Sequence, residues 1–170
     1  MRQIPIESLN KIKKSLSKIR NKIKINLFLK NKILQIKGDE LNEYIVEKII
    51  QAIEFGFDVE DALLLKNESY ILEFIDIKDH TRRRNLKEVR ARVIGTQGKA
   101  KRTIEGLTGS IIVVKDNQVG IITDSEHLES TVQALISIIQ GSKHANVFTH
   151  LEKQNQSRRY SDSEDLGLKI

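Results

Sequence analysis

Thirteen residues, Arg92-Val93-Ile94-Gly95-Thr96-Gln97-Gly98-Lys99-Ala100-Lys101-Arg102-Thr103-Ile104, constrain the fold of this chain most. Upstream of the two glycines, Leu86, Val89, Val93 and Ile94 recur at helical spacing; downstream, Ile104 and Leu107 do the same. No proline interrupts. The pattern predicts helix, tight Gly-x-x-Gly loop, helix. The apolar run Ile111-Ile112-Val113-Val114 that follows is too short and too β-branched for a further helix and reads as a strand.

Glycine lets a backbone turn sharply and leaves room for another backbone to approach. Gly98 also stands where the second helix opens, with unpartnered N–H groups and the positive end of the helix dipole beside it. An anion such as phosphate suits that position. Lys99, Lys101 and Arg102 add positive charge.

The remaining charge points the same way. The chain of 170 residues carries a formal net charge of +6. Lysine and arginine accumulate between Ser8 and Gly38 with no acidic residue, and nine more lie between Arg82 and Arg102 with Glu88 the only acid. The first cluster reads equally well as a solvated helix face; the second adjoins the glycine loop and predicts phosphate contact that weakens with salt. No apolar run approaches the ~20 residues that span a bilayer. With no cysteine there is no disulfide framework or thiolate zinc site. His80, His127, His144 and His150 lack a metal-ligating spacing, and no nucleophile–base set or phosphate-loop Gly-Lys-Ser/Thr is present. The expectation is a cytoplasmic binding protein with a polyanionic partner, no catalytic residues, no metal, no cofactor and no small-molecule substrate.

Taken in order, the chain predicts a first strand at Arg2 to Ile6 and a helix on the stripe Leu9, Ile12, Leu16, Ile19 and Ile23. A strand with Ile25, Leu27 and Leu29 turns at Lys30-Asn31-Lys32 into a returning strand from Ile33 to Lys37. A long helix carries Ile45, Val46, Ile49, Ile50 and Ile53, and a short helical piece covers Val59 to Leu65. The next strand is Ile71 to Asp79, and His80 to Asn85 is a basic loop. After the helix–loop–helix comes a hairpin around Asp116-Asn117-Gln118, then a helix with Leu128, Val132, Leu135, Ile136 and Ile139. His144 to Gln154 reads as a last helix, and 156–170 as a flexible tail.

This order repeats. A shift of 86 positions sets Ile25 on Ile111, Asn31 on Asn117, Ile36 on Ile122 and Ile53 on Ile139. The first copy has no counterpart of the glycine loop and its second helix. The expected fold class is therefore α+β: two units, each a three-stranded antiparallel sheet packed with helices, over 1–66 and 67–155.

The Gly95-to-Ile104 segment with its flanking helices and strand resembles the signature of a KH domain, whose Gly-x-x-Gly loop holds about four nucleotides of single-stranded RNA. Two KH-like units in tandem, the first without its loop, resemble the partner-of-Nob (Dim-two type) family of pre-rRNA processing proteins in its archaeal form. Three stretches carry that resemblance: Gly56-Phe57-Asp58-Val59-Glu60-Asp61-Ala62-Leu63, the Gly95–Glu105 loop region, and Gln140-Gly141-Ser142-Lys143-His144-Ala145-Asn146-Val147-Phe148. It implies binding near the 3′ end of small-subunit rRNA and assistance to the endonuclease that matures that end. On this reading Gly95, Thr96, Gln97 and Gly98 admit the RNA backbone, and Lys99, Lys101 and Arg102 hold phosphates. Arg92 and Ile94 flank the base groove, with Ile112 or Val114 in its apolar floor. The alternatives are a protein-docking scaffold and a general KH-type regulator of mRNA or translation.

Overall fold

The computed structural model describes residues 1–165 and 167. The first repeat runs β1 (Arg2–Pro5), α1 (Leu9–Lys22), β2 (Asn26–Lys30), β3 (Ile33–Lys37) and α2 (Glu40–Phe55). Its sheet is antiparallel in the order β1-β3-β2, with Leu27 opposite Ile36 and Leu29 opposite Leu34. Asn31 and Lys32 both adopt positive φ, 52° and 62°. That is the two-residue hairpin turn whose twist matches the strands it joins. Leu27, Leu34 and Ile36 share one face and are buried, as are Ile12 and Ile19 of α1 and Val46, Ile49, Ile50 and Ile53 of α2. Pro5, the only proline, lies on an edge strand, where its missing N–H costs no ladder bond.

After α2 the chain turns at Gly56 (φ 134°) into α3 (Val59–Ala62). Glu60 pairs with Lys18 of α1 at 2.7 Å, and Ala62 is fully buried. The Val-Glu-Asp-Ala-Leu box thus closes the end of the first repeat by one ion pair and one small buried side chain.

The second repeat runs β4 (Tyr70–Asp76), α4 (Ile77–His80), α5 (Leu86–Ile94), α6 (Lys99–Thr108), β5 (Ile111–Lys115), β6 (Gln118–Asp124) and α7 (Leu128–Ile139), followed by α8 (His144–Asp165). Its sheet order, β4-β6-β5, repeats that of the first. Each repeat is thus a three-stranded antiparallel sheet with helices, the α+β class expected. Val89, Val93, Ile104, Ile112, Val119, Leu135 and Ile138 are core residues here, with α5 packed on α7 and α8 on α6 and α7. Among the described residues no helix is long and apolar enough to cross a membrane.

Three expectations need correction. The strand from Ile71 stops at Asp76, whose carboxylate accepts the Lys78 N–H at 3.0 Å and starts a helical turn there. Contacts divide the chain into Met1–Phe74 with Gly120–Ile122, and Ile75–Val119 with Thr123–Ile170, so the division falls inside β4 instead of after residue 66. The reason is an aromatic cluster in the first unit: Phe55 stands 4.8 Å from Phe74 and 6.1 Å from Phe57, ring to ring. Gly120 joins them, since a Cβ there would sit 2.6 Å from Phe55. Third, the segment from residue 156, expected as a flexible tail, continues α8 as helix to Asp165. Asn155 donates to Leu107 O and Arg158 to Ser130 Oγ, polar ties that leave no hydrophobic period in the sequence. Residues 166 and 168–170 of that segment lie outside the described residues.

Candidate nucleic-acid interface

The Asn85 side chain accepts the Glu88 N–H and caps α5; Val89 and Val93 bury the helix. The helix ends where Gly95 N–H reaches Ala91 O at 2.8 Å, and Gly95 then turns out with φ 76° and ψ 172°. Gln97 (φ 53°) and Gly98 (φ 74°) complete the loop in left-handed conformation, and α6 starts at Lys99. Buried Ala100 and Ile104 fix α6 from below. The loop is therefore pinned at both ends by core side chains while Thr96 and Gln97 stand exposed.

The two glycines are needed for different reasons. A Cβ at Gly95 would lie 2.6 Å from Ala100 Cβ and 2.7 Å from Ala100 N, so the close backbone approach is to the chain's own next helix. At Gly98 a Cβ would meet nothing within 4 Å; only its positive φ calls for glycine.

The three cations after the loop also separate. Arg102 donates to Gln97 O at 2.7 Å and so shapes the loop. Lys101 pairs with Glu105 at 3.5 Å. Lys99 is exposed and makes no ion pair among the described residues, nor do Arg82, Arg84 and Lys87 further back. Arg90 is committed to Asp116 O at 2.8 Å.

Of the expected base groove, Ile94 is 36% exposed beside the loop. Ile112 must be withdrawn from the floor. It is 0% exposed, and its N–H is held by Glu105 Oε1 at 2.8 Å, so β5 begins beneath α6 and turns this side chain into the core. Val114 is half-buried. Arg92 is half-buried too: its guanidinium donates to Ser142 O at 2.8 Å, and His144 Nε2 donates to its carbonyl at 2.8 Å. The pair latches the start of α8 onto α5.

That latch builds a groove of about 430 Å³ that the sequence reading missed. Gly95, Thr96, Lys99 and Ala91 line one side; His144 and Phe148 of α8 line the other, their rings 6.0 Å apart. The spacing of four between His144 and Phe148 placed both on one helix face; nothing local said which face met the loop. Elsewhere, His127 Nδ1 lies 2.8 Å from Asp124 Oδ1. Burial is the largest influence on that carboxyl and pushes it up, but the hydrogen bonds from the His127 ring and backbone outweigh it, and Asp124 is held below the usual carboxylate range.

A Gly-x-x-Gly loop between two helices, on a β-α-α-β-β-α unit of sheet order β4-β6-β5, defines a KH-type module. Comparison with known proteins bears this out: residues 71–156 match the model of the second KH domain of PNO1, described as a eukaryotic type KH-domain (KH-domain type I). The chain belongs to this PNO1 family of KH proteins. A KH domain-containing protein of Methanocaldococcus jannaschii is 36% identical over 119 residues, 69% of this chain and 52% of that protein. The pre-rRNA-processing protein PNO1 of Debaryomyces hansenii is 28% identical over 138 residues, 76% of this chain and 54% of its own length. The chain thus spans about half the length of the curated relatives it matches. Among solved structures, Dim2p of Pyrococcus horikoshii is 26% identical with a TM-score of 0.79, over 89% of this chain and 98% of that one. A chain of the a/eIF2alpha–aDim2p–rRNA complex from the same organism is 25% identical with a TM-score of 0.80, over 92% and 94%.

Proposed function

We propose that this protein binds single-stranded RNA through the Gly95–Gly98 loop and acts in small-subunit ribosome assembly. On this reading it sits near the 3′ end of the small-subunit rRNA and assists the endonuclease that matures that end. One observation carries the reading: a pinned, outward-turned glycine loop whose tip, Thr96 and Gln97, is exposed beside the uncommitted Lys99 and the opening of α6. The Gly98 N–H donates to Gly95 O and the Lys99 N–H to Thr96 O. What suits a passing phosphate there is the positive end of the α6 dipole and the Lys99 ammonium, which makes no ion pair among the described residues. The relatives' names, pre-rRNA-processing proteins among them, and an rRNA complex among the structural neighbours support the choice of RNA. Gly95, Thr96, Gln97, Gly98 and Lys99 take the backbone, with Lys101 and Arg102 behind them; Ile94 and Val114 face bases, and Arg92 sets the loop against α8.

Crosslinking the protein to RNA in cells and sequencing the attached fragments tests this. Fragments should map to the 3′ region of small-subunit rRNA; a spread over messenger RNAs would favour the regulator instead. A docking role for the first repeat has one observation in its favour: Leu41 and Tyr44 of α2 are half-exposed beside a groove of about 320 Å³ that Tyr70 and Leu72 also line.

A further inference from the structure

The groove between the loop and α8 shares one edge with the clamp just described, but its α8 wall, His144 and Phe148, takes no part in that clamp. Its walls are mainly apolar carbon: Ala91 on one side, Phe148 on the other, with His144 one helical turn from Phe148. Phe148 is half-buried, so part of its ring faces the opening. Gly95, Thr96 and Lys99 belong to both the groove and the loop, so a strand leaving the clamp enters the groove without a break. Charge is arranged along it. Lys99, which makes no ion pair among the described residues, stands at the loop. Glu88 lies two turns back along α5, about 10 Å from Gly95 at 1.5 Å per residue. A phosphate is welcome beside Lys99 and repelled beside Glu88, whereas a base edge bearing an amino group can donate to that carboxylate.

His144 is held in one orientation. Its Nε2 donates to the Arg92 carbonyl, which only accepts, so the ring cannot swing away from the groove without losing that bond. The platform is therefore built before any ligand arrives.

We propose that this groove is a second nucleobase site, outside the Gly95–Gly98 clamp, in which a base of the same single-stranded RNA stacks on Phe148 while its phosphate is held by Lys99. The inference rests on the RNA-binding reading above. It lengthens the RNA footprint by a nucleotide and assigns α8 to recognition as well as to packing.

The probe is a fluorescein-labelled single-stranded RNA of eight nucleotides and mixed sequence. Phe148→Leu keeps an apolar side chain of similar volume but removes the π-face, and stacking accounts for a roughly tenfold effect per base. The expected result is affinity about tenfold weaker than wild type, an unchanged melting temperature, and wild-type ultraviolet crosslinks on the peptide that holds Phe148. If Phe148→Leu lowers the melting temperature, crosslink mapping in the wild-type protein decides: crosslinks at Phe148 support the site, and crosslinks confined to the loop overturn it. Equal affinity of variant and wild type overturns the site and leaves the RNA reading standing. No binding by the wild-type protein overturns both.

Discussion

Gly95 and Gly98 look alike in the sequence and carry different costs of substitution. Gly98→Ala meets no atom and bears only the left-handed conformation, about 1–2 kcal/mol. Gly95→Ala is strained too, at φ 76° and ψ 172°, a pairing nearly confined to glycine. It also drives a methyl into the Ala100 backbone, so α6 must shift; its cost should exceed the other by about 1–3 kcal/mol. Urea denaturation of the two variants measures the difference, and equal midpoints would mean the approach to Ala100 is not tight. The tip residues between them test function with little effect on stability. Thr96 and Gln97 are exposed, and aspartate is one of the few residues that tolerates the left-handed backbone of Gln97. Changing both to aspartate should weaken RNA binding at least tenfold, ~1.4 kcal/mol, by fluorescence anisotropy. Full-strength binding would take the loop off the RNA path.

The helices show how often an obvious cap is replaced by something else. Asp39 precedes α2 as a capping residue should, yet its side chain makes no cap bond. Glu43 fills the gap: it accepts the Gly38 N–H at 3.0 Å, and the Met1 ammonium lies 3.1 Å away. These two contacts, the Gly38 bond foremost, hold the Glu43 carboxyl below the usual carboxylate range. A carboxyl lowered in the folded state stabilises the fold above its unfolded pKa of about 4.3. That contribution is lost as pH falls through the lowered folded value. Glu43→Gln should therefore melt at lower temperature than wild type at pH 7, with the gap narrowing toward pH 3. A gap independent of pH would assign the loss to packing. In α6, the same attention to partners divides Lys99 from Arg102. Lys99→Ala should flatten the dependence of RNA affinity on salt by about one unit of slope and leave the melting temperature alone. Arg102→Ala releases the Gln97 carbonyl and should loosen the loop itself.

Across the molecule the two repeats share strand order and hairpins; the second adds the loop with α6, besides the short α4 and the closing α8. In the first repeat α1 passes almost directly into β2, and Arg20 at that passage donates to Leu27 O, so it shapes the turn. Asn21 and Lys22 are exposed there and offer the fair control. Replacing both with aspartate should reduce RNA affinity far less than the paired change at Thr96 and Gln97. Equal losses would place RNA on the lysine-rich face of the first repeat as well.

Element order, both hairpin turns and the glycine loop were legible because each depends on neighbours a few residues apart. Period, β-branching and the Asn31-Lys32 and Asp116-Asn117 turns leave local traces. The side of β5 that faces inward was not legible: in Ile111-Ile112-Val113-Val114 every residue is apolar, so alternation is silent until α6 covers Ile112. Nor was the state of each cation, since Arg90, Arg92 and Arg102 are claimed by carbonyls 26, 50 and 5 positions away. The helical course of α8 beyond Gln154 and its meeting with the loop rest on similar long-range bonds, from Asn155 to Leu107 and from His144 to Arg92. Hydrophobic pattern is read along the chain, whereas a side-chain hydrogen bond between distant positions depends on where folding brings them, and one sequence holds no periodic record of that.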